Sequence, residues 1–205
     1  MRRKEFEVMD PQELEAFLRE MSFGFLGTTG EDGWPRLTPL NFVYTGECLY
    51  FHGSKIGEKM TQLKAHPKVT FAVAKEYSII PSYFTDPKLA CPATAFFKSV
   101  LIKGYAEPVT ELEEKAAALA AFMQKLQPEG GYAPIDPADA EYAGQLKATV
   151  VVRITPHEIS AKYKFGQNMK SSAFERITSG LQERQGELDE ETIALMKAYC
   201  PHHRE

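Results

Sequence analysis

The stretch that decides the fold is RLTPLNFVYTGECLYFHGSKIGEK, which covers residues 36–59. Two apolar segments flank turn residues at 45–47, and this pattern predicts two antiparallel strands joined by a tight turn. The second strand ends at His52 and runs into a polar loop, containing Gly53 and Gly57, that opens a helix. Such a loop gathers backbone N–H groups, a hydroxyl and lysines around one point, and this combination favours a bound phosphate.

Composition excludes several classes of protein. The 205 residues suffice for one domain with a sizeable core, and the formal net charge of −4 provides no basic excess for nucleic-acid binding. The three cysteines, Cys48, Cys91 and Cys200, have no CxxC spacing, so we expect neither a disulfide framework nor a structural zinc site. Glu5 and Glu7 interrupt any apolar leader, and no segment approaches the roughly 20 apolar residues of a membrane helix. We therefore expect a cytoplasmic protein that binds neither nucleic acid nor a membrane.

Turn and capping residues divide the chain into strands with helices inserted between them. Helices are predicted at 11–21, after the Asp10–Pro11 cap, at 56–65, at 111–126 and in two pieces from Ser171. Strands are predicted at 23–29, 34–44, 48–52, 69–74, 95–106 and 148–159, and a long loop at 76–92. Because this order lacks a regular β-α-β alternation, it favours an antiparallel barrel over a parallel sheet.

Arg36, Lys55 and Lys59 are the candidate phosphate ligands. Lys55 and Lys59 are four residues apart at a helix start, where two cations and the helix N-terminus together favour an anion. Gly53 and Gly57 would let the backbone approach the ligand closely. Taken alone, Arg36 is more simply interpreted as a solvated side chain on a half-exposed strand.

Five other polar residues have both a structural and a functional interpretation. Ser54 caps the helix or contacts the phosphate, and the two roles are compatible. Asn41, among apolar neighbours, needs a hydrogen-bond partner, which is either a backbone group or the edge of a planar ligand. His52 has no evident partner carboxylate, so we assign it no acid–base role. Alternation places Lys98 and Ser99 on opposite faces of their strand.

In their order and spacing, these motifs resemble the pyridoxamine-5′-phosphate-oxidase-like FMN-binding split-barrel superfamily, and within it the subgroup with the nitroimidazole-resistance reductases. The resemblance covers about residues 1–165 and is carried by MRRK, PLNF, YFHGS followed by GEK, HPKV and KSVLIKGYA. It implies a mainly β fold with added helices, built on an antiparallel Greek-key split barrel over residues 1–165. Residues 166–205 would form a helical extension that packs on the barrel or on a partner subunit.

In that superfamily FMN lies at a homodimer interface. By resemblance, Arg36 and Lys59 would hold the phosphate, with Ser54 and Gly57 nearby. The resemblance also implies contacts along the flavin edge from Leu37, Thr38, Pro39 and Asn41, contacts beside the flavin from Phe51, His52 and Gly53, and contacts from the other subunit by Lys98 and Ser99. No catalytic side chain and no metal is implied, because the flavin ring carries the redox chemistry itself.

The leading expectation is an oxidoreductase that uses FMN to transfer a hydride or electrons to or from a small molecule. NAD(P)H is a candidate electron donor, and nitro-compound reduction is a candidate reaction. The alternatives are a non-catalytic FMN-binding regulator, a haem protein with His52 or the terminal His202–His203 as ligands, and a deazaflavin protein. True pyridoxamine-phosphate oxidases end in a substrate-binding segment with Trp and Arg, whereas the only tryptophan here is Trp34. We therefore do not expect pyridoxamine-phosphate oxidation.

Overall fold

The computed structural model describes residues 3–200 of the protein. The described helices are α1 (Pro11–Glu20), α2 (Glu58–Ala65), α3 (Leu112–Leu126), α4 (Ala140–Ala148), α5 (Ser171–Arg184) and α6 (Asp189–Tyr199). The strands are β1 (Glu7–Val8), β2 (Phe23–Thr29), β3 (Pro35–Asn41), β4 (Val43–Tyr44), β5 (Leu49–Gly53), β6 (Lys68–Ile80), β7 (Thr94–Pro108) and β8 (Val150–Lys164). The opening residues Met1 and Arg2 and the terminal pair His202–His203 lie outside the described residues.

The strands form one mostly antiparallel sheet in the order β3-β2-β6-β7-β8-β5-β4, with β1 paired to β8. Over the described residues the order ends at β3 on one side and at β4 on the other, so the sheet is open and not a closed barrel. This arrangement confirms the predicted fold class, a mainly β, antiparallel fold with added helices. The predicted homodimer stays a prediction.

The chain divides into two compact units. One, the hairpin unit, contains Asp10–Val73 and Leu101–Ile159. The other, the helical unit, contains Ala74–Val100 and the described parts of Met1–Met9 and Ser160–Glu205. The predicted boundary between residues 165 and 166 stays a prediction. None of the described helices has both the length and the apolar character needed to cross a bilayer.

In the hairpin unit, the local signals of the sequence fix α1 and the β2–β3 pair. The Asp10 carboxylate accepts a hydrogen bond from the backbone N–H of Gln12 (2.9 Å), and Pro11 occupies the first turn of α1. The helix then buries Phe17 and Leu18. Residues 30–33 form the turn into β3, whose register pairs Phe25 with Pro39 and Thr28 with Arg36. This register brings Arg36 beside a buried threonine of β2.

Two regions differ from the sequence prediction. The loop predicted at 76–92 is wrong over its first part, because β6 continues to Ile80 and buries Tyr77, Ser78 and Ile80. The sequence signal for a strand is weak in this segment, and the burial of these side chains within the helical unit outweighs it. Helix α4 was not predicted, although Asp139 caps it by accepting hydrogen bonds from the N–H groups of the first turn at 2.8 and 3.1 Å.

A buried carboxylate ties α5 and α6 to the end of β6 in the helical unit. Asp189 is 2% exposed and accepts hydrogen bonds from two nitrogens of the Arg184 guanidinium, Nε at 2.8 Å and Nη2 at 2.6 Å. The Ser78 hydroxyl donates to the same carboxylate at 2.6 Å, and the Gly186 N–H at 2.8 Å. Arg184 also donates to the carbonyl of Ile79 at 2.7 Å. The bond to Arg184 is the largest cause that lowers the pKa of Asp189 from 3.8 to about 2.

Asp189→Asn should therefore lower the free energy of unfolding by about 3 kcal/mol, because it leaves Arg184 partly buried without its counter-ion. The folded-state pKa lies below the unfolded one, so this stabilisation is present above pH 3.8 and is lost as pH falls towards 2. Urea unfolding at several pH values measures both effects, with the exposed Glu190→Gln as the matched control. A variant as stable as wild type at pH 7 would contradict this assignment.

Candidate functional site

Strand β3 presents the predicted flavin-edge residues on two different faces. Arg36 and Thr38 are half-buried, whereas Leu37, Pro39 and Asn41 alternate with them and are exposed. Leu37 is 73% exposed. The Asn41 amide donates to the Ser22 carbonyl at 3.0 Å, so the partner it needed is a backbone group in this structure. Within β3 the predicted residues therefore share a strand but not a single side-chain surface.

The loop between β5 and α2 has the local structure that the sequence predicts. The Ser54 hydroxyl accepts a hydrogen bond from the Ile56 N–H at 3.2 Å. Gly57 has φ +133°, a conformation that side-chain-bearing residues rarely adopt, and it begins α2 without a side-chain cap. The Gly57 carbonyl accepts the first helical bonds, from the N–H groups of Met60 and Thr61 at 3.1 and 3.2 Å. The N–H groups of Glu58 and Lys59 precede these bonds and have no intrahelical acceptor.

Lys59, in that first turn, carries a partly buried ammonium group. Its Nζ lies 4.9 Å from the centre of the Phe51 ring and 3.5 Å from the position that a Cβ on Gly53 would occupy. Burial lowers the pKa of Lys59. Among residues 3–200 the ammonium has no carboxylate and no hydrogen-bond acceptor, only the face of Phe51. A cation in this state is stabilised by an arriving anion.

His52 lies next to this group at the end of β5. Its ring meets Phe122 edge to face, with 5.0 Å between the ring centres. Burial first, and the charge of Lys59 second, lower the pKa of His52 below 6.5. The imidazole is therefore neutral at neutral pH and can donate or accept one hydrogen bond at each nitrogen.

Arg36, the other predicted phosphate ligand, is held by acceptors from its own chain. Its Nε donates to Glu58 at 2.8 Å and its Nη2 to Asp32 at 2.8 Å. Its Nη1 donates to the carbonyl of Trp34 at 3.3 Å. The bond to Asp32 first, and that to Glu58 second, raise the pKa of Arg36, and the same contact lowers the pKa of Asp32.

A buried amide supports this ion pair from the side of the core. Gln62 donates from Nε2 to the same Glu58 oxygen at 2.8 Å and accepts a 2.5 Å hydrogen bond from the Thr28 hydroxyl. Gln62 and Thr28 are only 4% and 5% exposed. Sequence reasoning missed all three partners of Arg36, which are Asp32, Trp34 and Glu58. The spacing of four between Glu58 and Gln62 was a usable helical signal, whereas nothing local connects Thr28 to either residue.

The remaining predicted ligands, Lys55, Lys98 and Ser99, have other contacts within the chain. Lys55 donates to the Lys147 carbonyl at 2.6 Å, so it binds the carboxyl end of α4. Lys98 and Ser99 belong to the helical unit. There, Lys98 Nζ lies 5.0 Å from the ring centre of Tyr163, and the Ser99 hydroxyl donates to the Lys162 carbonyl at 3.4 Å.

Two cavities of the hairpin unit share Arg36. One, of about 380 Å³, is lined by Glu31, Asp32, Arg36, Glu58, Thr61 and Gln62. The other, of about 500 Å³, lies over β2, β3, β6 and β7 and is lined by Gly27, Thr28, Thr29, Pro35, Arg36, Leu37, Lys68, Val69, Thr70, Lys103, Gly104, Tyr105 and His157. Within residues 3–200 no three His, Cys, Asp or Glu side chains are grouped to hold a metal ion.

Replacing Lys59 by an apolar residue of similar length tests two effects of its charge, the one on the pKa of His52 and the one on stability. Lys59→Met should raise the pKa of His52, because it removes the neighbouring charge, but it should leave that pKa below 6.5, since burial is the larger cause. The variant should also unfold at the same or a higher temperature, because it no longer desolvates a cation. NMR titration of the His52 ring and thermal unfolding measure the two effects. Lys64→Met, on an exposed position of α2, is the control; an unchanged His52 titration would contradict the contact.

Solved structures of the same fold come from several bacteria. A candidate 5-nitroimidazole antibiotic resistance protein from Bacteroides thetaiotaomicron is 22% identical, over 76% of this chain and 85% of that chain, with a TM-score of 0.61. The flavocytochrome Anf3 from Azotobacter vinelandii is 25% identical, over 78% and 69% of the two chains, with a TM-score of 0.63. The FAD and haem binding protein from Mycobacterium smegmatis is 16% identical, over 85% and 80%, with a TM-score of 0.62.

Curated protein sequences provide no significant match. The family model described as pyridoxamine 5′-phosphate oxidase, in contrast, matches residues 10–163, which include the hairpin unit and all the predicted cofactor-binding residues. This match, together with the split-barrel structures, confirms the resemblance read from the motifs. The chain belongs to the pyridoxamine 5′-phosphate oxidase family.

Proposed function

We propose that this protein binds FMN and acts as a flavin-dependent oxidoreductase on a small molecule. The observation that carries the proposal is the state of Lys59, a partly buried cation beside the uncapped N-terminus of α2. A phosphate group satisfies both features at once, since it accepts the free N–H groups and neutralises the ammonium. Similar structures described as a flavocytochrome and as an FAD and haem binding protein support a flavin as the ligand.

In this proposal Lys59 and the first turn of α2 hold the phosphate, and Arg36 contributes the N–H groups that its own carboxylates leave free. The backbone of β3 from Leu37 to Asn41 and the neutral His52 border the ring. When bound, the flavin supplies the hydride or electron transfer. The chain then binds and orients it, which agrees with the lack of any nucleophile–base pair among the predicted site residues.

Removing the ammonium should cost most of the affinity for the phosphate. Lys59→Ala should raise the Kd of FMN about tenfold to a hundredfold, since hydrogen bonds to charged groups contribute about 1.5–3 kcal/mol. The Kd of riboflavin, which lacks the phosphate, should change little. Quenching of flavin fluorescence on titration with protein measures both values, with Lys64→Ala on the same helix as the control. An equal loss for the two flavins would place the phosphate elsewhere.

The absorbance spectrum of the purified protein, with mass identification of any released ligand, distinguishes FMN from a deazaflavin and from haem. Flavin bands with released FMN support the proposal, and a deazaflavin is distinguished by its mass. A haem spectrum would favour the alternative suggested by the haem-binding neighbour, with His52 as the first ligand to replace. Bleaching of a bound flavin by NAD(P)H, and its reversal by a nitro compound, separates an oxidoreductase from a non-catalytic FMN-binding regulator.

We also propose that the protein is a homodimer with the flavin at the interface. The β2–β3 hairpin has an exposed apolar face formed by Phe23 and Phe25, which are 46% and 45% exposed, and by Leu37 and Pro39. The register pairs Phe25 with Pro39 and places Leu37 opposite Gly27, so these side chains form one continuous surface. A contiguous apolar surface of this kind is typical of a protein interface.

Phe25→Glu should therefore convert the dimer into a monomer and reduce FMN binding, because it places a charge in the centre of that surface. Sedimentation velocity measures the mass, and flavin titration measures the binding. Leu126→Glu, an exposed apolar position at the end of α3, is the matched control. A Phe25→Glu protein that remains dimeric would exclude this face as the interface.

A further inference from the structure

Two carboxylates of the chain already accept hydrogen bonds from the Arg36 guanidinium, as the oxygens of a phosphate would. Asp32 and Glu58 each present one carboxylate oxygen, at 2.8 Å from Nη2 and from Nε. Carboxylate and phosphate oxygens are recognised by the same planar fork of N–H groups, so the two kinds of acceptor are chemically interchangeable at this residue. Five N–H groups are available on an arginine, and three of them are bound within the chain.

The two carboxylates are placed by other parts of the hairpin unit and are not chance contacts. The second Asp32 oxygen accepts the Trp34 N–H at 3.1 Å, which fixes Asp32 in the turn before β3. Glu58 is fixed by the buried amide of Gln62, whose direction is set by Thr28. The side chains of Asp32 and Glu58 are nevertheless 52% and 65% exposed, so water can replace their bonds to Arg36 at small cost.

We propose that Asp32 and Glu58 are intramolecular competitors of the ligand phosphate for Arg36. They set how strongly the site prefers flavins that carry a phosphate over flavins that do not. The two carboxylates balance the charge of Arg36, so a phosphate that arrives there must displace at least one carboxylate or remain close to it. Either event opposes the attraction of Arg36 for the phosphate. This inference rests on the proposed function, because it assigns the ligand phosphate to the same site.

Neutralising either carboxylate should tighten the binding of FMN. Asp32→Asn and Glu58→Gln should each lower its Kd about fivefold, the effect of removing one like charge at contact distance from a solvated site. The Kd of riboflavin should not change, because it has no phosphate to compete for Arg36. Glu47→Gln, which removes the same charge in the turn before β5, is the control. Equal melting temperatures confirm that the variants remain folded.

The outcomes separate this inference from the proposed function. Wild-type protein that binds FMN, with variants of unchanged affinity, overturns the inference alone. Weaker FMN binding by Glu58→Gln also overturns it, because Glu58 would then position Arg36 for the phosphate and not compete with it. An equal gain for riboflavin overturns the role of the phosphate. Wild-type protein that binds neither flavin overturns the proposed function, and this inference with it.

Discussion

A buried amide must have its oxygen and its nitrogen satisfied, and in the hairpin unit Gln62 meets this constraint with two partners from different elements. Thr28 of β2 donates to the oxygen, and Glu58 of α2 accepts from the nitrogen. Glu58 in turn holds Arg36 of β3. The position of the candidate site thus depends on a chain of hydrogen bonds that begins in the core, where an unpaired group would cost about 1–3 kcal/mol.

The contact of Asp189 with Arg184 and the contacts of Asp32 and Glu58 with Arg36 differ in burial, and burial decides their effects. Asp189 is almost fully buried and receives four hydrogen bonds, so its pairing with Arg184 is a stabilising feature of the helical unit. Asp32 and Glu58 are mostly exposed, so water screens their attraction to Arg36. The pairing of Asp189 with Arg184 is therefore suited to holding α5 and α6 in place. The contacts of Arg36 are suited to the exchange of a carboxylate for another anion.

Local signals in the sequence predicted most of the elements. The Asp10–Pro11 cap gave the start of α1, the turn at 30–33 gave the β2–β3 hairpin, and Gly57 marked the start of α2. Sequence patterns did not predict the continuation of β6 to Ile80, because the partner that buries Ser78 lies 111 residues further along the chain. Glu58, the helix partner of Arg36, was missed for the same reason: a strand residue and a helix residue 22 positions apart become neighbours only in the fold, and local periodicity does not report such pairs.

The helical unit is discontinuous in sequence, and this has a consequence for the order in which the protein folds during synthesis. The hairpin unit contains no residue beyond Ile159, whereas the helical unit includes chain from Ser160 onward. Until Asp189 has been synthesised, Ser78 lacks the acceptor that it has in the finished protein, and the end of β6 lacks its cover. Domains fold as units as they emerge from the ribosome. The hairpin unit can therefore fold while the end of β6 is still exposed. In the nascent chain this strand end is an unprotected edge, and such edges are prone to aggregation.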